Sequence, residues 1–198
     1  RLFDSDGEVR DEYSAFIKLV KGAGYDVVTL DLEKEEIPEN CRMMITFNPT
    51  EDFKAFGNLG ENNVSEIEKL DRFLDGTNAL MVFFNPTTPL LPNLEEYLEE
   101  WGVDFGYYES TETKAKYRYM VQDSTQSLTS DGYTIYGSPV ESGRSAELLG
   151  SLDRKVVFKN ATAMKAAQGF VANGDGSFQK GDRTVYSLYE SGENAVSW

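Results

Sequence analysis

The chain has 198 residues, of which 34 are acidic and 19 basic, giving a formal net charge of −15; it holds one cysteine and no histidine. That charge argues against nucleic-acid binding, which needs a basic face to neutralise phosphates, and against a polybasic membrane-surface patch. Hydrophobic residues make up 40% and aromatic residues 13%, enough apolar surface for a packed single domain over 1–198.

In chain order, the first readable element is a helix. Val9, Tyr13, Phe16, Ile17 and Val20 form one apolar stripe, and Gly22 and Gly24 close it as residues able to take a left-handed cap. Residues 25–32, with Val27 and Val28 at their centre, read as a strand. Residues 43–47 form a second strand that ends on Phe47-Asn48-Pro49-Thr50. A helix follows, capped by Ser65 with Glu68 at the capping-box spacing and ended by Gly76. The most apolar run, 79–84, is too short to span a bilayer. It leads into a second Phe-Asn-Pro-Thr at 84–87. Short Met, Val, Ile and Phe runs bounded by turn residues predict strands buried on both faces of a parallel sheet. A third helix has Asn93 and Glu96 as its capping pair and Leu94, Tyr97, Leu98 and Trp101 as its stripe. Its acids Glu95, Glu96, Glu99 and Glu100 fall on a solvated outer face.

Strand–helix alternation to about residue 106 predicts a βαβ core. From about 107 to 198 the pattern becomes β-rich, with short strands at 103–109, 117–121 and 133–136. A helical turn at 146–152 and a buried-type strand at 156–158 follow. Asn173-Gly174-Asp175-Gly176 and Lys180-Gly181-Asp182 bracket a hairpin that runs into 184–189. The start at Arg1 is what a piece cut from a longer protein would show.

The chemistry is defined mostly by what is missing. Without histidine there is no Ser-His-Asp or Cys-His nucleophile system and no histidine zinc site. Cys41 precedes a strand, outside any strand-to-helix elbow, and reads as an incidental thiol. Asp4, Asp6 and Glu8 alternate as calcium ligands do but lack the glycine and glutamate of a calcium loop. No catalytic residue, metal or cofactor is expected. In parallel sheets, ligands gather at the carboxyl ends of strands. The rim Asn48, Thr50, Asp52, Asn85, Thr87 and Thr88 is therefore the expected ligand or partner surface. Ordinary strand-ending turn chemistry is the other reading of the same residues.

The order of segments resembles a known family. Gly24-Tyr25 closes a helix; Ile37-Pro38 precedes a strand ending in Asn48-Pro49; Glu51-Asp52 and a helix over 65–74 follow. Then come Gly76, a strand over 80–84 with Asn85-Pro86, and Leu91-Pro92-Asn93-Leu94 through Trp101-Gly102-Val103. This is similar to the soluble region of the GldG-like (gliding-motility-type) auxiliary proteins of ABC transporters, and residues 156–163 and 188–195 resemble later segments of it. One departure is the opening, where only Leu2-Phe3 and Asp6-Gly7-Glu8 stand in for a full strand and a Gly-His-Gly-Glu-like turn. The resemblance implies an α/β three-layer sandwich with a largely parallel sheet, amidotransferase-like or flavodoxin-like, with a β-rich C-terminal part. It also implies an extracytoplasmic domain anchored by segments absent from this chain, with permease and ATPase subunits as partners.

The resulting expectation is a non-catalytic accessory domain of an ABC-type transport complex, acting by protein contacts or by binding a polar small molecule or glycan. The alternatives are a carboxylate-dependent glycan hydrolase, with Asp52 and Asp4 as first candidates, and a structural spacer.

Overall fold

The computed structural model describes residues 8–57, 65–150 and 155–197. The chain divides into two compact units, Arg1–Phe84 and Asn85–Trp198.

In the first unit a 3₁₀ turn at Asp11–Tyr13 leads into α1 (Ser14–Gly22). Gly24 takes a positive φ of 90° just after it, the left-handed conformation that glycine adopts without strain. Strand β1 (Met43–Phe47), helix α2 (Glu66–Asp75) and strand β2 (Ala79–Phe83) form a βαβ unit. β1 and β2 pair in parallel from Met43 opposite Ala79 to Phe47 opposite Phe83. The Phe47 and Phe83 rings stack at 4.1 Å, and Phe16 of α1 meets both edge-on. Ser65 caps α2 as expected, its hydroxyl accepting from the Glu68 N–H at 3.0 Å. Ile67, Leu70 and Phe73 of α2 are buried.

Among its described residues the second unit holds α3 (Pro92–Glu100), α4 (Gly143–Leu149) and only antiparallel sheets. β3 (Val103–Phe105) pairs with β9 (Met164–Ala166), and β4 (Tyr107–Glu109) pairs with β5 (Lys116–Arg118). β6 (Val121–Gln122) pairs with β14 (Val196–Ser197). β7 (Thr134–Pro139) lies between β8 (Val156–Lys159) and β13 (Tyr189–Glu190). The expected hairpin is present as the meander β10 (Val171–Ala172), β11 (Ser177–Lys180) and β12 (Arg183–Tyr186). Leu91, Leu94, Tyr97 and Phe105 are buried among the core residues of this unit.

The expected largely parallel three-layer sandwich is not what folds. Among the described residues the only parallel pairing is β1 with β2, and every other sheet is small and antiparallel. Residues 25–32 form no strand. Their end closes as a turn, with the Lys34 and Glu35 N–H groups donating to the Asp31 carbonyl. The Leu32 and Glu35 carbonyls are taken by the ammonium of Lys69, at 2.9 and 2.8 Å, instead of by a ladder. The apolar runs are not buried on both faces either: Met43, Met81 and all of β8 are exposed. Period and composition alone cannot tell a strand buried on two faces from an apolar strand at an edge.

Helix α3 starts two residues earlier than its Asn93–Glu96 capping pair implies, with Leu91 rather than Asn93 at the N-cap. Pro92 occupies its first turn, where a missing N–H costs nothing. The Leu91 N–H is satisfied by the Glu95 carboxylate at 2.9 Å. Gly102 then ends the helix with a φ of 95°.

Candidate functional site

The six residues of the expected rim fall in both units, Asn48, Thr50 and Asp52 in the first and Asn85, Thr87 and Thr88 in the second. In the first, Asn48 carries a positive φ of 41°, and its N–H continues the β1–β2 ladder by donating to the Phe83 carbonyl at 2.9 Å. Thr50 is exposed. One Asp52 oxygen accepts from the Phe53 N–H at 2.9 Å. The Lys54 N–H donates to the Glu66 carboxylate, and the Ile67 N–H donates back to the Lys54 carbonyl, seating this loop on the start of α2. Burial raises the Glu66 carboxyl above the ordinary carboxylate range.

In the second unit the Asn85 side-chain oxygen accepts from the Thr87 N–H, the Thr87 hydroxyl and the Thr88 N–H, at 2.9, 2.6 and 3.1 Å. The Thr88 hydroxyl oxygen accepts from the Asn85 N–H at 3.1 Å. This is a side-chain-closed turn of the kind Asn and Thr favour. Of the hydrolase candidates, Asp4 lies outside the described residues.

Below that turn sits a charge the sequence reading placed nowhere. Arg118 of β5 is buried, and its guanidinium donates to the Thr88 carbonyl, to the Pro89 carbonyl at 2.9 Å and to Glu95. The Arg118 and Glu95 side chains are 1% and 12% exposed. The Phe105 and Tyr107 rings lie 5.6 and 5.9 Å from the guanidinium carbon, within cation–π range. Glu95 thus bridges Arg118 and the Leu91 N–H, and belongs to the core rather than to a solvated face. A helix taken from Leu91 would have indicated this, because Leu91 and Leu98 flank Glu95 four residues before and three after it.

The opposite face of the same hairpin is aromatic. Tyr108 and Tyr117 stand directly opposite each other across β4 and β5, stacked at 5.3 Å and 25°. Tyr119 lies 5.6 Å from Tyr108, over Gly106, where a Cβ would come within 2.8 Å of its ring. Tyr108 and Tyr117 are 41% and 46% exposed. The hairpin is inverted relative to the usual pattern, with Arg118 inside beside Tyr107 and with Tyr108 and Tyr117 out. Strand alternation explains why: Tyr117 and Tyr119 share one face, so Arg118 takes the other. At the hairpin tip, Glu109 lies opposite Lys116 and 3.9 Å from Lys114.

Beside α3 is an open cleft of about 320 Å³ whose walls include Glu95, Glu96, Glu99, Asp104 and Tyr107. Asp104 pairs with Lys165 at 3.2 Å. Among the described residues no group of three or more His, Cys, Asp or Glu side chains is placed to hold a metal ion. Asp31, Asp123, Asp131 and Asp175 have lowered carboxyl pKa values. For Asp31, Asp131 and Asp175 the largest cause is a side-chain hydrogen bond, from Lys34, Thr129 and Ser177 respectively. For Asp123 burial pushes upward, and donors from Thr125, Gln126 and Gly192 together outweigh it. No described helix is long and apolar enough to cross a membrane.

No family model, no curated protein and no solved structure matches this chain.

Proposed function

We propose that this chain is a non-catalytic docking module that works through protein contacts, with the tyrosine face of the β4–β5 hairpin as its contact surface. The carrying observation is the inversion of that hairpin: Arg118 is clamped inside by Glu95 and two carbonyls while Tyr108 and Tyr117 stand exposed and stacked. Tyrosine supplies large amphipathic contact area at a low cost in side-chain entropy, which is why it is enriched at interfaces. The buried clamp holds the strands rigid, so the face is pre-organised and little further ordering is needed on binding.

The setting we propose is that of an extracytoplasmic accessory domain of an ABC-type transport complex, anchored by segments outside this chain, with permease and ATPase subunits as partners. That part rests on the resemblance of the order of segments to that of the GldG-like auxiliary proteins, independently of the sandwich fold that the resemblance implied.

The test has two parts: whether an ABC-type ATPase–permease gene pair lies beside the gene for this chain, and whether the purified chain associates with that detergent-solubilised pair. Tyr108→Ser with Tyr117→Ser should weaken that association at least tenfold, or about 1.4 kcal/mol, while the thermal unfolding midpoint stays within a few degrees. Unchanged association in the folded double variant would sink the contact surface. The absence of such a gene pair would sink the transporter setting.

A further inference from the structure

A second site lies in the first unit and does not depend on the tyrosine face. The turn at residues 36–41 and helix α2 line an open cleft of about 210 Å³. Two cations border it. Lys69 has a side chain only 1% exposed, and two of its three ammonium donors are taken by the Leu32 and Glu35 carbonyls. Arg72, three residues further along α2, is exposed at the mouth. One carboxylate serves both. Glu36 approaches Lys69 Nζ at 3.5 Å and Arg72 Nη2 at 3.8 Å. Those separations exceed the roughly 2.7–2.9 Å of a charge-assisted hydrogen bond, and the Glu36 side chain is 65% exposed. A buried ammonium with its third donor aimed at a loose surface carboxylate is under-satisfied, and such groups gain most from a better acceptor.

We propose that this cleft binds a small monocarboxylate, whose carboxylate takes the place of Glu36 between Lys69 and Arg72. Charge balance selects the class. Lys69 and Arg72 share the single carboxylate of Glu36, and Glu39 also lines the cleft. Exchanging Glu36 for one singly charged carboxylate preserves that balance, whereas a phosphate dianion adds a charge to a chain that already carries −15. The walls select the rest of the molecule: Ile37, Pro38 and Phe73 line the same space and suit a short aliphatic tail. A space of about 210 Å³ is large enough to admit a short-chain acid. Glu36 is then the built-in competitor that occupies the anion position when no ligand is present.

The only cysteine of the chain, Cys41, also lines this cleft and serves as a reporter. The experiment follows the rate of Cys41 alkylation by iodoacetamide in the full chain at constant ionic strength. Titrants are sodium butyrate, neutral butyramide and sodium phosphate. Butyrate should slow alkylation saturably, while butyramide and phosphate should not. Glu36→Gln removes the competitor and should lower the half-effect concentration of butyrate several-fold. Arg72→Gln, at an exposed position, should raise it about tenfold or more, as loss of a charged hydrogen bond implies. The site is overturned if butyrate protects Cys41 in neither the parent nor the Glu36→Gln chain. It is also overturned if butyramide protects equally, because the cations then take no part. Equal protection by phosphate overturns the assignment to a monocarboxylate.

Discussion

Substituting Arg118 by methionine isolates what the buried clamp contributes to the second unit. Methionine keeps most of the aliphatic stem against Phe105 and Tyr107 but deletes every guanidinium donor. Glu95 keeps only the Leu91 N–H among the contacts described above, and the Thr88 and Pro89 carbonyls lose their donor. Breaking a buried ion pair from one side costs about 3–5 kcal/mol, consistent with about 1.5–3 for one charged hydrogen bond plus the penalty of stranded carbonyls. Both tryptophans, Trp101 and Trp198, belong to the sequence of the second unit. Tryptophan fluorescence during urea unfolding therefore reads this unit selectively. Arg118→Met should lower its stability by about 3–5 kcal/mol. Adding Glu95→Gln should cost less than the sum of the two single changes by about 1–3 kcal/mol, because contacting residues couple. A loss below about 1 kcal/mol, or strict additivity, would refute the clamp as the support of the tyrosine face.

Three further outcomes follow from the same contacts. The Asp123 carboxyl is fully buried and its pKa is lowered. Its contribution is therefore complete above the unfolded aspartate value of about 3.9 and is lost as pH falls through the lower folded value. Asp123→Asn should cost about 1–3 kcal/mol at neutral pH, since the amide must oppose the Gly192 N–H that now donates to the carboxylate at 3.1 Å. It should also flatten the acid limb of the stability–pH curve measured by fluorescence. Gly102→Ala places a methyl within 2.8 Å of the Phe170 ring at a φ of 95° and should cost about 2 kcal/mol or more by urea titration. Gly181→Ala, at a φ of 59° in open space, should cost only about 1–2 kcal/mol in the same assay. Ser65→Ala removes the acceptor for the Glu68 N–H and should destabilise the first unit by about 1 kcal/mol, followed by circular dichroism.

The elements that could be read from sequence are those whose signals are local. The stripe of α1, the Ser65 cap, the Leu94 and Tyr97 core of α3 and the glycine turns around β11 all express short-range geometry. The β1–β2 pairing was also legible, from two similar apolar runs joined by a helix of crossover length. What could not be read depends on partners distant in the chain. Residues 25–32 have strand-like composition, but Lys69, far along the sequence, takes the Leu32 carbonyl at their end and the Glu35 carbonyl just beyond it. Residues 156–159 are as apolar as a central strand and lie at the edge of their sheet. Among the rim residues, the turn closed by Asn85 and Thr88 was legible as turn chemistry. The clamp beneath it was not, because the Arg118–Glu95 pair joins a strand and a helix read separately.

The docking proposal is tested most directly by placing a photocrosslinking benzoylphenylalanine at position 117 of this chain and irradiating it with the ABC-type ATPase and permease subunits that the proposal names as partners. Position 19, an exposed leucine of α1 in the first unit, serves as the comparison site. A crosslink to a transporter subunit from position 117, absent or much weaker from position 19, is the expected result. No crosslink from position 117, or equal crosslinking from both positions, would contradict the tyrosine face as the contact surface.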